Sequence, residues 1–142
     1  MVNDRIQALA PDLTRVAPRS ARAALGPYRV IAARAVDKCR AELAGCAGSY
    51  HYNCSLDRAF FKFSGIDAAE FKQFVGTGAS DEEIVGWITE KSSVHDSRRI
   101  ALWNLWLRLN PLNWLLDFDD WLHVRRNVDS GQKAWDASHK EM

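Results

Sequence analysis

Hydrophobic residues recur at helical spacing along most of the chain, and polar residues and short glycine-containing stretches separate them. Between Tyr28 and Leu43, apolar side chains fall three and four residues apart, which is the period of one buried helical face. Pro27 suits the start of such a helix and Gly45 suits its end. The pattern therefore predicts a helix over residues 28–43.

Three further helices are predicted from their end signals. The first begins after Ser55 and stops at Gly65, and the second is capped by Asp67. Ser80 and Glu83 have the spacing of a capping box, in which each side chain accepts a hydrogen bond from a free backbone N–H. A third helix should therefore begin directly after Ser80.

The C-terminal third is rich in leucine and tryptophan. Over residues 94–109 these side chains cover most of the helix circumference, so this helix must be enclosed on several sides or lie at an interface. Asn110 followed by Pro111 predicts the start of a last helix. From residue 127 onward the chain is mainly polar, and we expect a frayed tail over 127–142.

These elements together predict an all-α fold, a compact bundle of about six helices. The chain has 142 residues, of which 47% are hydrophobic, so one domain can bury a core without disulfides or metal. We place this single domain at residues 1–126. The segment GSYHYNCSLD contains alternating aromatic residues, and we predict a loop there or one short extended segment near residues 49–53.

The distribution of charge along the chain indicates which kinds of partner to expect. The net charge is +1, but residues 1–40 carry eight basic and three acidic side chains, whereas residues 41–96 carry four and nine. Arg19 and Arg22 in the basic part are candidates for binding an anionic ligand, although such arginines also pair with acidic residues of the same chain or remain solvated. Nucleic acid is not an expected partner, because the pI is about 7.8 and no binding motif is present.

The location is predicted from two absences and the cysteines. No apolar run suits a signal peptide, and none approaches the roughly 18 residues of a membrane span, so we expect no membrane partner. Three cysteines, Cys39, Cys46 and Cys54, form an odd set that would leave one unpaired in an oxidising compartment. Reduced thiols in a cytoplasm fit this composition best.

Several motifs, in a fixed order, resemble an uncharacterised bacterial family known as domain of unknown function 5069. They are DLTRVAPRSARAALGPY, VDKCRAELAG, YHYNCSLD, FFKFSGID, EFKQFVGTGASDEEIVGWI and ALWNLWL. The resemblance covers residues 12–107 and implies a shared, mainly helical fold. It marks as motif positions Asp37, Lys38, Gly45, Tyr50, Asn53, Cys54, Leu56 and Asp57. It implies no reaction.

The segment YHYNCSLD contains the best candidate for chemistry. Cys54 has His51 three residues before it and Asp57 three residues after it, at the predicted start of a helix. A Cys-His-Asp set can support acyl transfer or redox chemistry if folding brings the groups together. The alternative interpretation is structural: Cys54 packs inward, Asn53 hydrogen-bonds the turn and Asp57 interacts with the helix dipole.

Metal and cofactor binding are not predicted. Cys39, Cys46, His51 and Cys54 have the spacing C-x6-C-x4-H-x2-C, which lacks the close C-x2-C pairs of structural zinc sites. Cys39 also lies on the apolar face of its predicted helix, where a cysteine acts as a small hydrophobic residue.

Four tryptophans form a second candidate site. Trp103, Trp106, Trp114 and Trp121 lie close together in sequence, and they either fill the core or form a groove or homodimer interface.

Two hypotheses of function therefore stay open. The first is a binding or protein-interaction module, which acts on an unknown protein or small molecule and can dimerise through the tryptophan-rich helices. The second is a small enzyme or thiol-redox protein that uses Cys54, with Tyr50, Asn53 and an arginine binding an anionic substrate. If residues 50–57 form a site, they should open onto a concave pocket, and packing should seal them if they are only a turn.

Overall fold

A computed structural model describes residues 4–110 and 118–125 of the chain. Within these residues the order of helices is α1 (Asp4–Leu9), α2 (Ala32–Ala44), α3 (Ser55–Ser64), α4 (Ala68–Val75), α5 (Asp81–Lys91) and α6 (Ser97–Arg108). Residues 118–125 are also helical, and we refer to them as the helical segment 118–125. No strand occurs in this part of the chain, so the predicted all-α fold is confirmed.

Local end signals fix most helix boundaries as predicted. The Asp67 carboxylate accepts hydrogen bonds from the first free N–H groups of α4, and Ser80 and Glu83 form the capping box of α5. Gly45 and Gly65 end α2 and α3 in the left-handed conformation, with φ of 77° and 74°, which costs glycine little because it has no Cβ. These ends depend on neighbouring residues only.

The predicted start of α2 at Tyr28 is wrong, because the helix begins at Ala32. Leu25 and Tyr28 exchange two backbone hydrogen bonds in a tight turn, and Ile31 then adopts a left-handed φ of 66°. The Tyr28 ring packs edge-on against Phe60 with centroids 5.2 Å apart. Tyr28 is therefore buried as predicted, but it belongs to the turn before the helix.

Of the two alternatives for residues 49–53, the structure has the loop and not the short extended segment. These residues form turns and irregular backbone. The Tyr52 hydroxyl donates to the carbonyl of Ala68, and its ring stacks on Phe71. Tyr50 instead contacts Asp120 and His123 of the helical segment 118–125, so the alternating aromatic residues pack against two different elements and do not pair in a sheet.

Two other predictions concern the C-terminal part. The last helix predicted from Asn110 and Pro111 falls partly on residues 111–117, outside the described residues, and residues 118–125 are helical. The domain limit at 126 and the tail over 127–142 stay predictions, because residues 126–142 are not described. In the two described ranges, no helix has both the length and the apolarity that a membrane crossing requires.

Helix α2 lies at the centre of the fold. Ten consecutive residues, from Ala32 to Ala41, are buried, and the core around them includes Phe60, Phe71 and Ile84. Four of the ten are charged: Arg34, Asp37, Lys38 and Arg40. Because an isolated charge is very costly to bury, each of these side chains requires a partner.

Each buried charge of α2 is paired with a different part of the chain. The ion pairs join Arg34 to Asp120 of the helical segment 118–125, Asp37 to Arg19, Lys38 to Asp57 of α3, and Arg40 to Asp81 of α5. The Lys38–Asp57 pair is the most buried, with side-chain exposures of 4% and 0% and an N–O distance of 2.8 Å. The ion pairs therefore connect α2 to the surrounding elements.

We predict that Lys38→Met destabilises the protein by about 3–5 kcal/mol, because the Asp57 carboxylate then remains buried and unpaired. Adding Asp57→Asn should recover much of this loss, since the charge is removed while the amide oxygen can still accept the Asn53 N–H. Urea unfolding followed by circular dichroism measures both changes. Lys91→Met, at an exposed lysine, is the control and should stay within about 0.5 kcal/mol of wild type. A double variant no more stable than Lys38→Met would contradict the ion-pair interpretation.

A second prediction concerns acid. Burial disfavours the charged carboxylate of Asp81, but Arg19 and Arg40 outweigh this and hold its pKa below the usual value. The two ion pairs of Asp81 therefore contribute fully to the stability of the fold above the pKa of an unfolded aspartate, about 4. This stabilisation is lost as the pH falls further. Asp81→Asn should be less stable than wild type at neutral pH, and the difference in urea midpoint should shrink below about pH 4. Glu90→Gln, an exposed carboxylate of the same helix, should show no such convergence.

Candidate functional site

A pocket of about 430 Å³ opens beside α2. It is bounded by α2, by the loop that precedes α3 and by the helical segment 118–125. The residues that line this candidate pocket are Arg34, Lys38, Ser49, Tyr50, His51, Cys54, Leu56, Asp119, Asp120 and His123. The loop YHYNCSLD therefore opens onto a concave surface, which is the property we expect of a site.

The Lys38 ammonium forms one wall of the candidate pocket. Its Nζ lies 2.8 Å from Asp57 Oδ2 and donates to Cys54 Sγ at 3.1 Å. An ammonium has three N–H donors, and the hydrogen bond to Cys54 together with the ion pair to Asp57 engages at most two of them. Among the described residues no further partner of Lys38 is found, so at least one donor has no partner there.

A tight turn positions Cys54 at the N-cap of α3, directly before Ser55. Asn53 adopts a left-handed φ of 62°, and its backbone N–H donates to Asp57 Oδ2 at 2.9 Å. Cys54 then caps α3 with an extended backbone, and its sulfur lies at the positive end of the helix dipole. Asp57 thus organises both the turn and the lysine that contacts the thiol.

The opposite wall of the candidate pocket is a network around Asp120. Arg34 Nη2 donates to Asp120 Oδ1 at 3.0 Å, and the Tyr50 hydroxyl donates to the same oxygen at 2.9 Å. The Tyr50 ring also contacts His123 edge-on, with centroids 5.1 Å apart. Burial and the hydrogen bond to Asp120 raise the pKa of Tyr50, so its phenol stays protonated and acts as a donor.

The predicted Cys-His-Asp residues meet only in part. Cys54 and His51 both line the candidate pocket, whereas Asp57 is fully buried behind them and pairs with Lys38. Within the described part of the chain, no hydrogen bond joins His51 to Cys54 or to Asp57. The geometry supports a Cys54–Lys38 contact and gives His51 no role as an oriented base.

The other predicted ligand-binding residues divide into two groups. Tyr50 lines the candidate pocket, and Asn53 forms the turn beneath it. Arg19 binds Asp37 and Asp81, and Arg22 is half-buried with its backbone N–H on Ser20 Oγ. Neither arginine lines the candidate pocket. The interpretation that the arginines pair within the chain therefore fits Arg19.

The tryptophans also have different environments. Trp103 stacks on Phe63 with centroids 4.7 Å apart and packs against the core. Trp106 and Trp121 are exposed, at 66% and 52%. Trp114 lies outside the described residues. Of the three described tryptophans, one therefore packs on the core and two lie on the surface.

The remaining cysteines do not join Cys54 at the candidate pocket. Cys39 is fully buried, and burial raises the pKa of its thiol to about 12. The Cys46 thiol donates to the carbonyl of Pro11. Over residues 4–110 and 118–125, no group of three or more His, Cys, Asp or Glu side chains could hold a metal ion.

Residue patterns singled out Arg19 and Arg22 among the basic residues instead of Arg34, and they assigned no site role to Asp120 or His123. Lys38 was marked only by the family resemblance. One signal was present, since Arg34 and Lys38 are four residues apart and share a face of α2. The same spacing is common on solvated helices, so it does not identify a site until burial is known.

The fold and the candidate pocket define a small all-α domain built around a helix with buried charges. The chain belongs to the family described as Domain of unknown function (DUF5069), whose model matches residues 15–134. Every residue that lines the candidate pocket falls within this match. Among curated proteins, no relative matches the chain.

We predict that native thiol labelling separates the three cysteines. Cys54 should react first with iodoacetamide, because it lines an open pocket, and Cys39 should react only on unfolding, because it is buried and its pKa is about 12. Peptide mass spectrometry at successive times measures each rate. Urea-unfolded protein is the control, in which the three rates should become similar. Labelling of Cys39 before Cys54 in the native protein would contradict the structure.

Proposed function

We propose that this domain binds a small molecule with an anionic group, such as a carboxylate or phosphate, in the candidate pocket. The observation that carries the proposal is the buried Lys38 ammonium, which has at least one N–H donor left after its contacts with Cys54 and Asp57. A donor of this kind is most favourably satisfied by an anionic oxygen, because charge-assisted hydrogen bonds are the stronger ones.

The size and lining of the candidate pocket fit this class of ligand. A volume of about 430 Å³ lies within the usual range for small-molecule sites. Arg34 is paired with Asp120 just as Lys38 is paired with Asp57, and the Asp120 carboxylate outweighs the burial of the guanidinium, which raises the pKa of Arg34. We assign the anion to the ammonium of Lys38, whereas Tyr50 and Leu56 contribute apolar surface for the rest of the ligand.

A second candidate function is thiol chemistry on the bound molecule. Cys54 Sγ accepts a hydrogen bond from an ammonium and lies at a helix N-terminus, and both features are found around reactive cysteines. In this hypothesis Cys54 is the nucleophile and Lys38 orients the substrate, so the enzyme requires the same binding step. Three free cysteines are consistent with a reducing compartment, and we propose a cytoplasmic location.

The test compares two alkylating agents that differ in charge. The measured quantity is the rate of reaction with iodoacetate divided by the rate with neutral iodoacetamide. If the Lys38 donor binds anions, this ratio should be about three- to tenfold higher at Cys54 than for free glutathione. Added inorganic phosphate or malonate should slow the reaction at Cys54 and leave that at Cys46 unchanged. Rates are measured by peptide mass spectrometry.

The test variant removes the ammonium while avoiding an unpaired buried charge. Lys38→Met combined with Asp57→Asn should lose the preference for iodoacetate, and its folding is checked by circular dichroism. His95→Ala, at an exposed histidine outside the candidate pocket, should keep the preference. Equal relative rates at Cys54 and glutathione, together with no protection by phosphate or malonate, would overturn the proposal. Fast alkylation of Cys54 that keeps the charge preference would favour thiol chemistry on the bound anion, whereas fast alkylation without the preference would count against both functions.

A further inference from the structure

An exposed apolar face on α6 remains outside the candidate pocket and its proposed function. Leu102, Leu105, Trp106 and Leu109 lie at positions i, i+3, i+4 and i+7, so they share one side of the helix. All four are exposed, with Trp106 at 66% and Leu109 at 72%. We call these four residues the α6 face. Apolar side chains arranged in this way on a surface usually mark an interaction site.

The opposite side of α6 is fixed in the protein. Asn104 donates to the carbonyl of Pro27 at 3.0 Å and accepts the Arg29 N–H at 3.1 Å. Leu107 is buried in the core. Rotating α6 to hide the α6 face would break these contacts and expose Leu107. The outward orientation is therefore a property of the fold.

The charges on α6 are all positive. Arg98, Arg99 and Arg108 are exposed, and the residues Ser97–Arg108 include no acidic side chain. Arg98 is four residues before Leu102 and so continues the α6 face toward the helix N-terminus, whereas Arg99 and Arg108 lie on either side of it. A partner of this face must offer apolar contact surrounded by negative charge.

A second copy of the chain meets these requirements poorly. Symmetric packing of α6 on α6 would bring the same arginines together without an acid between them. A contact limited to α6 would also be small, because a helix of 12 residues is about 18 Å long and about 10 Å wide. Its footprint of about 180 Å² is well below the roughly 800 Å² per partner of a stable interface. A lipid surface needs no matching shape, accepts leucine and tryptophan among its acyl chains, and supplies phosphates to arginine.

We infer that the α6 face docks the domain onto an anionic lipid surface. The apolar side chains run along the length of α6, so the helix lies parallel to the membrane plane, and at about 18 Å it is too short to cross the roughly 30 Å hydrocarbon core. The four apolar side chains enter the interface, and the three arginines contact lipid phosphates. This is peripheral attachment and needs no spanning helix, so it revises the expectation from the sequence that the protein has no membrane partner. It is independent of the candidate pocket.

Vesicle sedimentation tests the inference on the full chain. The protein should sediment with vesicles of phosphatidylcholine mixed with phosphatidylglycerol, and much less with phosphatidylcholine alone. Leu105→Ser with Trp106→Ser should abolish sedimentation. Arg98→Gln, Arg99→Gln and Arg108→Gln should each weaken the partition coefficient by about fivefold, and raised salt should weaken it further.

Matched variants elsewhere on the surface serve as controls. Leu9→Ser in α1 and Arg58→Gln in α3 change exposed residues of the same types and should leave the partition coefficient unchanged. Circular dichroism and thermal unfolding verify that the variants fold. No binding to phosphatidylglycerol vesicles, or binding that the α6 variants do not reduce, overturns the inference. So does analytical ultracentrifugation that shows a dimer which Trp106→Ser dissociates, because a second copy would then cover the α6 face.

Discussion

The pairing of buried charges on α2 is the constraint on which the rest of the structure depends. This helix is buried over ten consecutive residues and carries two arginines, a lysine and an aspartate among them. Removing such groups from water is unfavourable unless each meets an opposite charge or several hydrogen-bond partners. The partners come from the chain before α2, from α3, from α5 and from the helical segment 118–125. Satisfying all four pairs at once allows few arrangements of these elements.

The same constraint creates the candidate pocket. Arg34 and Lys38 lie about one turn apart on α2, so the elements that hold their carboxylate partners must meet on that side. The two partners come from separate elements, and the space between them becomes a recess with Tyr50 and Cys54 on its surface. Structural and functional roles therefore coincide at Lys38: it neutralises Asp57, contacts the Cys54 sulfur and retains a donor for a ligand. A substitution at Lys38 therefore changes both the stability of the fold and the binding of a ligand, and the two effects have to be measured separately.

Aromatic residues of similar sequence pattern have two different roles. Trp87 stacks on Phe74, and Trp103 stacks on Phe63, so these rings extend the core. Trp106 follows Trp103 by three residues, but most of its ring is in solvent. Helix α6 is apolar over most of its circumference, and only one side can face the core. Asn104 and Leu107 determine that side through their contacts, and the remaining leucines and Trp106 form the surface that we assign to membrane docking.

The sequence by itself determined the helical class, most helix ends and the membership of the family. Ser80 with Glu83, Asp67 and Gly65 act on backbone groups within a few residues, so their effect can be predicted locally. The tertiary structure decided where α2 begins, because a turn packed on distant residues holds Tyr28 outside the helix. It also decided the site, since Arg34 and Asp120 are 86 residues apart and only burial turns their charges into a specific pair. Helix ends depend on hydrogen bonds between residues that are close in sequence, so the sequence predicts them. The free-energy cost of a buried charge depends on partners that are distant in sequence, and only the folded structure shows which these are.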